Sequence, residues 1–186
     1  MSGRPRRILC LSGSLRRRSA NTAVLQATQA LAPAGLELVL YQGLAGLPPF
    51  DPDEEAVAVP PPARALREAV GQADALLIAC PEYAHGVPGA FKNLLDWLVG
   101  SLEFPGKPVA LINTSGRASH HAQDALAEIL STMSARLLGG ACVSVPLPGA
   151  GCGREDVLAS PERCAEVRGL LAALEHALVA EACHLP

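Results

Sequence analysis

Short, almost purely apolar runs alternate along this chain with longer stretches whose apolar residues recur at helical spacing. The short runs fall at residues 7–12, 36–41, 75–80, 108–113 and 138–145 and are built mainly from Leu, Ile, Val and Ala. Runs of that length without polar alternation predict strands buried on both faces, as in a parallel sheet covered by helices. The longer stretches fall at residues 20–31, 63–72, 88–99, 118–135 and 161–182. In the first of them Val24, Leu25, Thr28 and Leu31 share one face, and Pro33 to Gly35 stop it. Pro60 to Pro62 precede the second, Pro88 stands at a plausible first helical position of the third, and Ser160 is placed to cap the last.

The order is therefore β-α repeated five times. Such alternation predicts parallel strands joined by right-handed crossovers. Five strands in 186 residues suit a doubly wound sheet of order 2-1-3-4-5, the flavodoxin-like α/β fold, as a single domain over residues 1–186. The Pro-rich stretch 47–62 is expected to be a surface loop over the site, and residues 146–153 form a second flexible connection. Ligands of such a sheet bind at the carboxyl ends of the strands where the winding reverses, here between the first and third strands. Three stretches follow strands at that edge: residues 12–21, 81–89 and 114–119.

Composition narrows the setting. Fifteen Lys and Arg against eighteen Asp and Glu leave a net charge of −3, which argues against nucleic-acid binding by bulk electrostatics. No apolar run reaches the ~20 residues that span a bilayer, and the Arg-bearing start lacks a signal-peptide core, so a cytoplasmic protein without membrane partner is expected. Six cysteines without a C-x-x-C pair fit reduced thiols, with Cys10, Cys80 and Cys142 inside apolar runs as small buried hydrophobes. The charge is not evenly spread: Arg4, Arg6, Arg7, Arg16, Arg17 and Arg18 all lie in the first 18 positions.

The first strand-end stretch combines Gly13 for a tight turn with Ser14, Ser19 and Asn21 as donors, Arg16 as a forked cation, and a helix start. Together these make a phosphate cradle, though neither a Walker loop nor G-x-G-x-x-G. The second, Pro81 to Gly89, holds two prolines, two further glycines, Tyr83 and His85, a backbone path suited to a planar polar heterocycle. Phe91, Leu94, Leu95 and Trp97 after it are expected in a helix core or subunit interface, and Asp51, Asp53, Glu54 and Glu55 on a solvated loop face. His120 and His121 are adjacent and lack a completing ligand set, so no metal is assigned. Cys10 and Arg16 have the C-x5-R spacing of a phosphatase loop, but Leu9 and Leu11 flank the cysteine inside a strand.

The runs GSLRRRSAN (13–21) and PEYAHGVPGAFKNLLDW (81–97), with LPPFDPD and NTSGRASHHAQ in matching order, resemble the NADPH-dependent FMN reductase family of flavodoxin-like FMN, quinone and chromate reductases. That resemblance implies FMN as cofactor, NADPH or NADH as co-substrate, and a homodimer or homotetramer. It places the FMN phosphate on Ser14, Arg16, Ser19 and Asn21, and the ring against Pro81, Glu82, Tyr83, Ala84, His85 and Gly86, with Ser115 and Gly116 opposite. Many members carry Asn where this chain has Ala84 and Ser where it has Gly86, so ring contacts here fall to the backbone. The flavin would carry the chemistry, with no certain catalytic side chain; Tyr83 and His85 would shape the cleft. Hydride would pass from NAD(P)H to flavin, then two electrons to a flavin, quinone, azo or chromate acceptor at the same site, in ping-pong order. A flavodoxin-like electron carrier and a flavin-free binding module are the alternatives on this fold.

Overall fold

The computed structural model describes residues 4–116, 120–149 and 151–182. Its sheet comprises β1 (Arg6–Ser12), β2 (Leu36–Leu40), β3 (Ala75–Ala79), β4 (Pro108–Ser115), β5 (Arg136–Leu137) and β6 (Val143–Leu147). The helices are α1 (Ala20–Ala30), α2 (Pro52–Val57), α3 (Pro61–Gly71), α4 (Gly89–Val99), α5 (His121–Thr132), α6 (Arg154–Leu158) and α7 (Pro161–Ala182). All pairings are parallel and the order is β2-β1-β3-β4-β5.

Strand alternation divides the core into two halves. Ile8 and Cys10 of β1, Ala75, Leu77 and Ala79 of β3, and Ala110 and Ile112 of β4 pack with α1, α6 and α7. Leu9, Leu11, Leu76, Ile78, Val109 and Leu111 point the other way and pack with α3, α4 and α5. Both faces are buried, which is why the strand runs lack polar alternation. Phe91, Leu94, Leu95 and Trp97 are all buried in the second half, so α4 contributes core rather than a free face. Along α7, Val167, Leu170, Leu171, Leu174 and Leu178 recur at helical spacing against the first half. Ser160 caps α7 by accepting the Arg163 N–H at 3.3 Å.

Several expectations need revision. The fifth strand is not continuous over 138–145: a 3-10 turn at Gly139–Ala141 breaks it. β5 pairs with the start of β4 (Pro108 with Arg136) and β6 with its end (Ile112 with Val143), so two short strands fill one position in succession. The adjacent Gly139 and Gly140 are poor strand residues and allow the break. Cys142 is exposed on that break rather than buried, unlike Cys10 and Cys80.

The stretch 47–62 does not cover the cleft. It folds as α2, capped by Asp51, whose Oδ1 accepts the Asp53 N–H at 2.8 Å, and packs on α4. Asn93 and the Trp97 indole N–H both donate to the Pro48 carbonyl at 2.8 Å, and Phe50 stands edge-on to Trp97 at 5.0 Å. Nor is its acidic cluster wholly solvated, because Glu55 pairs with Arg67. Finally, α5 starts at His121; the expected start at Ala118 lies outside the described residues. Pro88 precedes α4 as its cap position, and α6 occupies a region read only as following a flexible connection. Among the described residues no helix is long and apolar enough to cross a membrane.

Candidate functional site

A cleft of about 520 Å³ opens at the carboxyl ends of β1, β3 and β4, at the reversal of winding. The structure brings Ser14, Arg16, Ser19, Asn21, Pro81, Glu82, Tyr83, Ser115 and Gly116 together around it. Ala84, His85 and Gly86 are not in its lining. The cleft also includes Arg18 and Thr114, from stretches the sequence placed at this edge without giving these two a contact, and Asn113, Gln123 and Leu147 to Gly149, which sequence reasoning did not assign. The last of these belong to the connection 146–153, whose Pro and Gly content was the only signal. Arg18 explains how it gets there: its guanidinium donates to the Gly151 carbonyl at 2.8 Å, tying the first loop to the segment after β6.

The first loop is organised by its own short side chains. The Ser12 and Thr22 hydroxyls share a hydrogen bond of 2.8 Å between the end of β1 and the start of α1. Ser14 Oγ accepts the Arg16 N–H at 3.3 Å, and Ser19 caps α1 by accepting the Thr22 N–H at 3.5 Å. The Ser14 and Ser19 hydroxyls, which only accept in these bonds, each keep a hydrogen to donate. Asn21 is buried, and its Oδ1 accepts the Thr114 hydroxyl at 3.1 Å, leaving the amide N–H groups as donors. Gly13 lets this loop cross β3 closely: a Cβ there would stand 2.7 Å from Cys80 Sγ and 3.1 Å from Cys80 Cα. Donors, a cation and a helix N-terminus converge with no facing carboxylate in the loop itself, which suits an anionic phosphate.

The second loop is a tight hairpin. Tyr83 and Gly86 exchange N–H···O bonds of 3.0 Å in both directions. The two residues between them, Ala84 and His85, have φ of 49° and 60°. Two positive φ values define a type I′ turn, normally made with Asn and Gly. Gly86 has ordinary φ, and a Cβ on it would meet only the Tyr83 carbonyl at 3.8 Å. Tyr83 is half exposed and forms one wall of the cleft. Glu82 Oε2 accepts the Ala122 N–H of α5 at 3.0 Å, and its Oε1 lies 3.3 Å from His85 Nδ1.

Neither Cys10 nor Cys80 is set up as a nucleophile. Burial pushes the Cys10 thiol up to about 12, and Cys10 faces α1 and α7 instead of the cleft. Its C-x5-R spacing with Arg16 therefore makes no phosphatase loop. Cys80 lines the cleft, but burial raises its thiol to about 12 as well. Among the described residues no three His, Cys, Asp or Glu side chains converge to hold a metal; His120 and His121 stack on each other at 4.3 Å.

Fold and cleft thus define a flavodoxin-like protein whose cleft gathers donors, a cation and a helix start beside the Tyr83–Gly86 turn. Comparison with known proteins gives the family. The model of the NADPH-dependent FMN reductases matches residues 6–148, and the chain belongs to that family of oxidoreductases. It is 38% identical to an NAD(P)H-dependent FMN reductase of Pseudomonas aeruginosa over 64% of this chain and 69% of that one. It is 40% identical to a quinone reductase of Escherichia coli over 58% of each chain, so it spans little more than half the length of that relative. Among solved structures it is similar to the flavoenzyme NAD(P)H:acceptor oxidoreductase FerB of Paracoccus denitrificans. There the TM-score is 0.69 and the identity 26%, over 92% of this chain and 98% of that one.

Proposed function

We propose that this protein is an NAD(P)H-dependent reductase that holds FMN in the cleft between the first loop and the Tyr83–Gly86 hairpin. The observation that carries this reading is the phosphate cradle itself. Ser14, Ser19, Asn21 and Arg16 offer donors and charge around a loop that Gly13 brings against β3, with α1 starting there. The cleft volume falls in the ~300–1,000 Å³ range of small-molecule sites.

When bound, FMN supplies two-electron chemistry, taking hydride from NAD(P)H and passing electrons to a small acceptor such as a quinone or a free flavin. The chain's own residues do the positioning. Arg16 neutralises phosphate charge, while Pro81 and the backbone of Glu82 and Tyr83 set the ring side. Ser115 and Gly116 close the opposite side, where the Ser115 N–H is held by Asn113 Oδ1 at 2.9 Å. Tyr83, half exposed at the cleft, would limit access to the ring, and donor and acceptor would use this one opening in turn, in ping-pong order. The whole is read as one domain acting in the cytoplasm, consistent with the free thiols of Cys10, Cys80, Cys142, Cys152 and Cys164. A homodimer or homotetramer is part of the reading, supported by exposed Val57 and Val99 at the ends of α2 and α4 and by Leu102 just after α4.

The test is a flavin titration. The protein is expected to bind FMN with a shift of the visible bands, and to bleach on anaerobic addition of NADPH or NADH. Absence of any spectral change with FMN would overturn the reading. FMN binding without direct oxidation of either nicotinamide would leave an electron carrier.

A further inference from the structure

The hairpin that walls the cleft is held in a conformation its own residues disfavour. Ala84 and His85 both sit at positive φ, a region that a residue such as Ala84 rarely adopts. Something outside the turn must keep it there. The Glu82 side chain, only 15% exposed, is placed to do this. One oxygen accepts the Ala122 N–H in the first turn of α5, a donor that the cap residue His120 does not satisfy with its side chain. The other oxygen meets His85 Nδ1, within the hairpin, at 3.3 Å. The His85 ring in turn stands edge-on to His121 at 4.6 Å. Carboxylate charge is also favoured at the positive end of α5.

We propose that Glu82 is a positioning residue whose carboxylate braces the Tyr83–Gly86 hairpin against α5, fixing two walls of the cleft relative to each other. The proposal rests on the reading of this cleft as the FMN site. Ala122 and Gln123 of α5 line one side and Tyr83 another, so a lost brace lets the hairpin relax and the cleft widen. The role belongs to the side chain and is separate from ring contacts made by the Glu82 backbone.

Amide hydrogen exchange in the full chain, followed by NMR without added FMN, tests the brace directly. Glu82→Ala is expected to speed exchange at Ala122, Tyr83 and Gly86 by about tenfold or more while strand amides of β1 and β3 stay protected. Glu82→Gln retains an acceptor for Ala122 and is expected to restore its protection. His85→Ala, which leaves the α5 cap in place, is expected to loosen Tyr83 and Gly86 alone. In parallel, FMN affinity read by flavin fluorescence should fall in Glu82→Ala and recover in Glu82→Gln. Unchanged exchange at Tyr83 and Gly86 in both Glu82→Ala and His85→Ala would overturn the brace and leave Glu82 a simple helix cap. A native chain that fails to bind FMN would overturn the assignment of the cleft, while the exchange result would still decide the brace.

Discussion

The two loops that meet at the cleft are built in opposite ways. The loop after β1 is stabilised from within: Ser12, Ser14, Ser19 and Thr22 bond one another and the local backbone, with ordinary cap geometry at Ser19. The hairpin after β3 closes on its own Tyr83–Gly86 backbone bonds, but Ala84 at positive φ opposes that geometry, and Ala122 and His121 of α5 add contacts from outside through Glu82 and His85. A binding surface can therefore combine a part that its sequence specifies locally with a part that also leans on a distant element. The first tolerates little change to its own residues. The second should respond chiefly to changes elsewhere.

The largest effect should come from the point where the two loops touch. Gly13→Ala places a methyl 2.7 Å from Cys80 Sγ and against backbone, so the loops must separate. Denaturant unfolding should show a loss of about 1–3 kcal/mol, and FMN titration should show little remaining affinity. Undiminished FMN affinity would break the claim that close approach builds the site.

Next comes charge within the first loop. Arg16→Ala should weaken FMN about tenfold to a hundredfold, as for a lost charge-assisted hydrogen bond. Arg17→Ala, outside the cleft lining, should change affinity little. Equal losses in fluorescence titrations of the two variants would show a diffuse basic field instead of a defined cradle.

A third variant separates stability from the site. Asp74 lies at the amino end of the sheet, accepting from the Arg7 N–H at 2.7 Å and pairing with Arg4 at 3.0 Å and Arg6 at 3.3 Å. Burial pushes its carboxyl up, but these donors outweigh that and hold it below the usual carboxylate range. A lowered folded value stabilises the fold above the unfolded pKa of about 3.9, and that stability disappears as pH falls through the folded value. Asp74→Asn should cost about 1–2 kcal/mol at pH 7, with the gap to the native chain closing below about pH 4. FMN affinity should be unchanged at neutral pH, because neither loop is touched.

The smallest effect is a gain. Ala84→Gly removes strain at φ 49° and should raise stability by up to about 1 kcal/mol in urea unfolding, after the entropy of glycine is subtracted. A loss there would show that the hairpin is not strained.

How far the sequence could be read follows the range of the forces involved. Apolar runs set the strands and the order 2-1-3-4-5, because strands buried on both faces must be apolar throughout. The cradle was legible for the same local reason: Gly13, Ser14, Ser19 and Arg16 act within a few residues of one another. Arg18 was not separable from Arg17, since its distinguishing bond reaches across to Gly151. The stretch 47–62 was misplaced because its anchors, Asn93 and Trp97, lie on a helix some forty residues later. Two adjacent glycines were too weak a signal to divide the last strand position, where β4 offers its edge to two partners in turn.

By itself, then, the sequence determined a doubly wound sheet through its apolar periodicity and, through the resemblance of its strand-end motifs, the family. Only the tertiary structure decided that Arg18 anchors the segment after β6 and that Cys142 is exposed on a break in the last strand position. It also decided that an alanine and a histidine occupy a turn made for Asn and Gly. Those outcomes depend on pairs of groups far apart in the chain, whose energies no local pattern records.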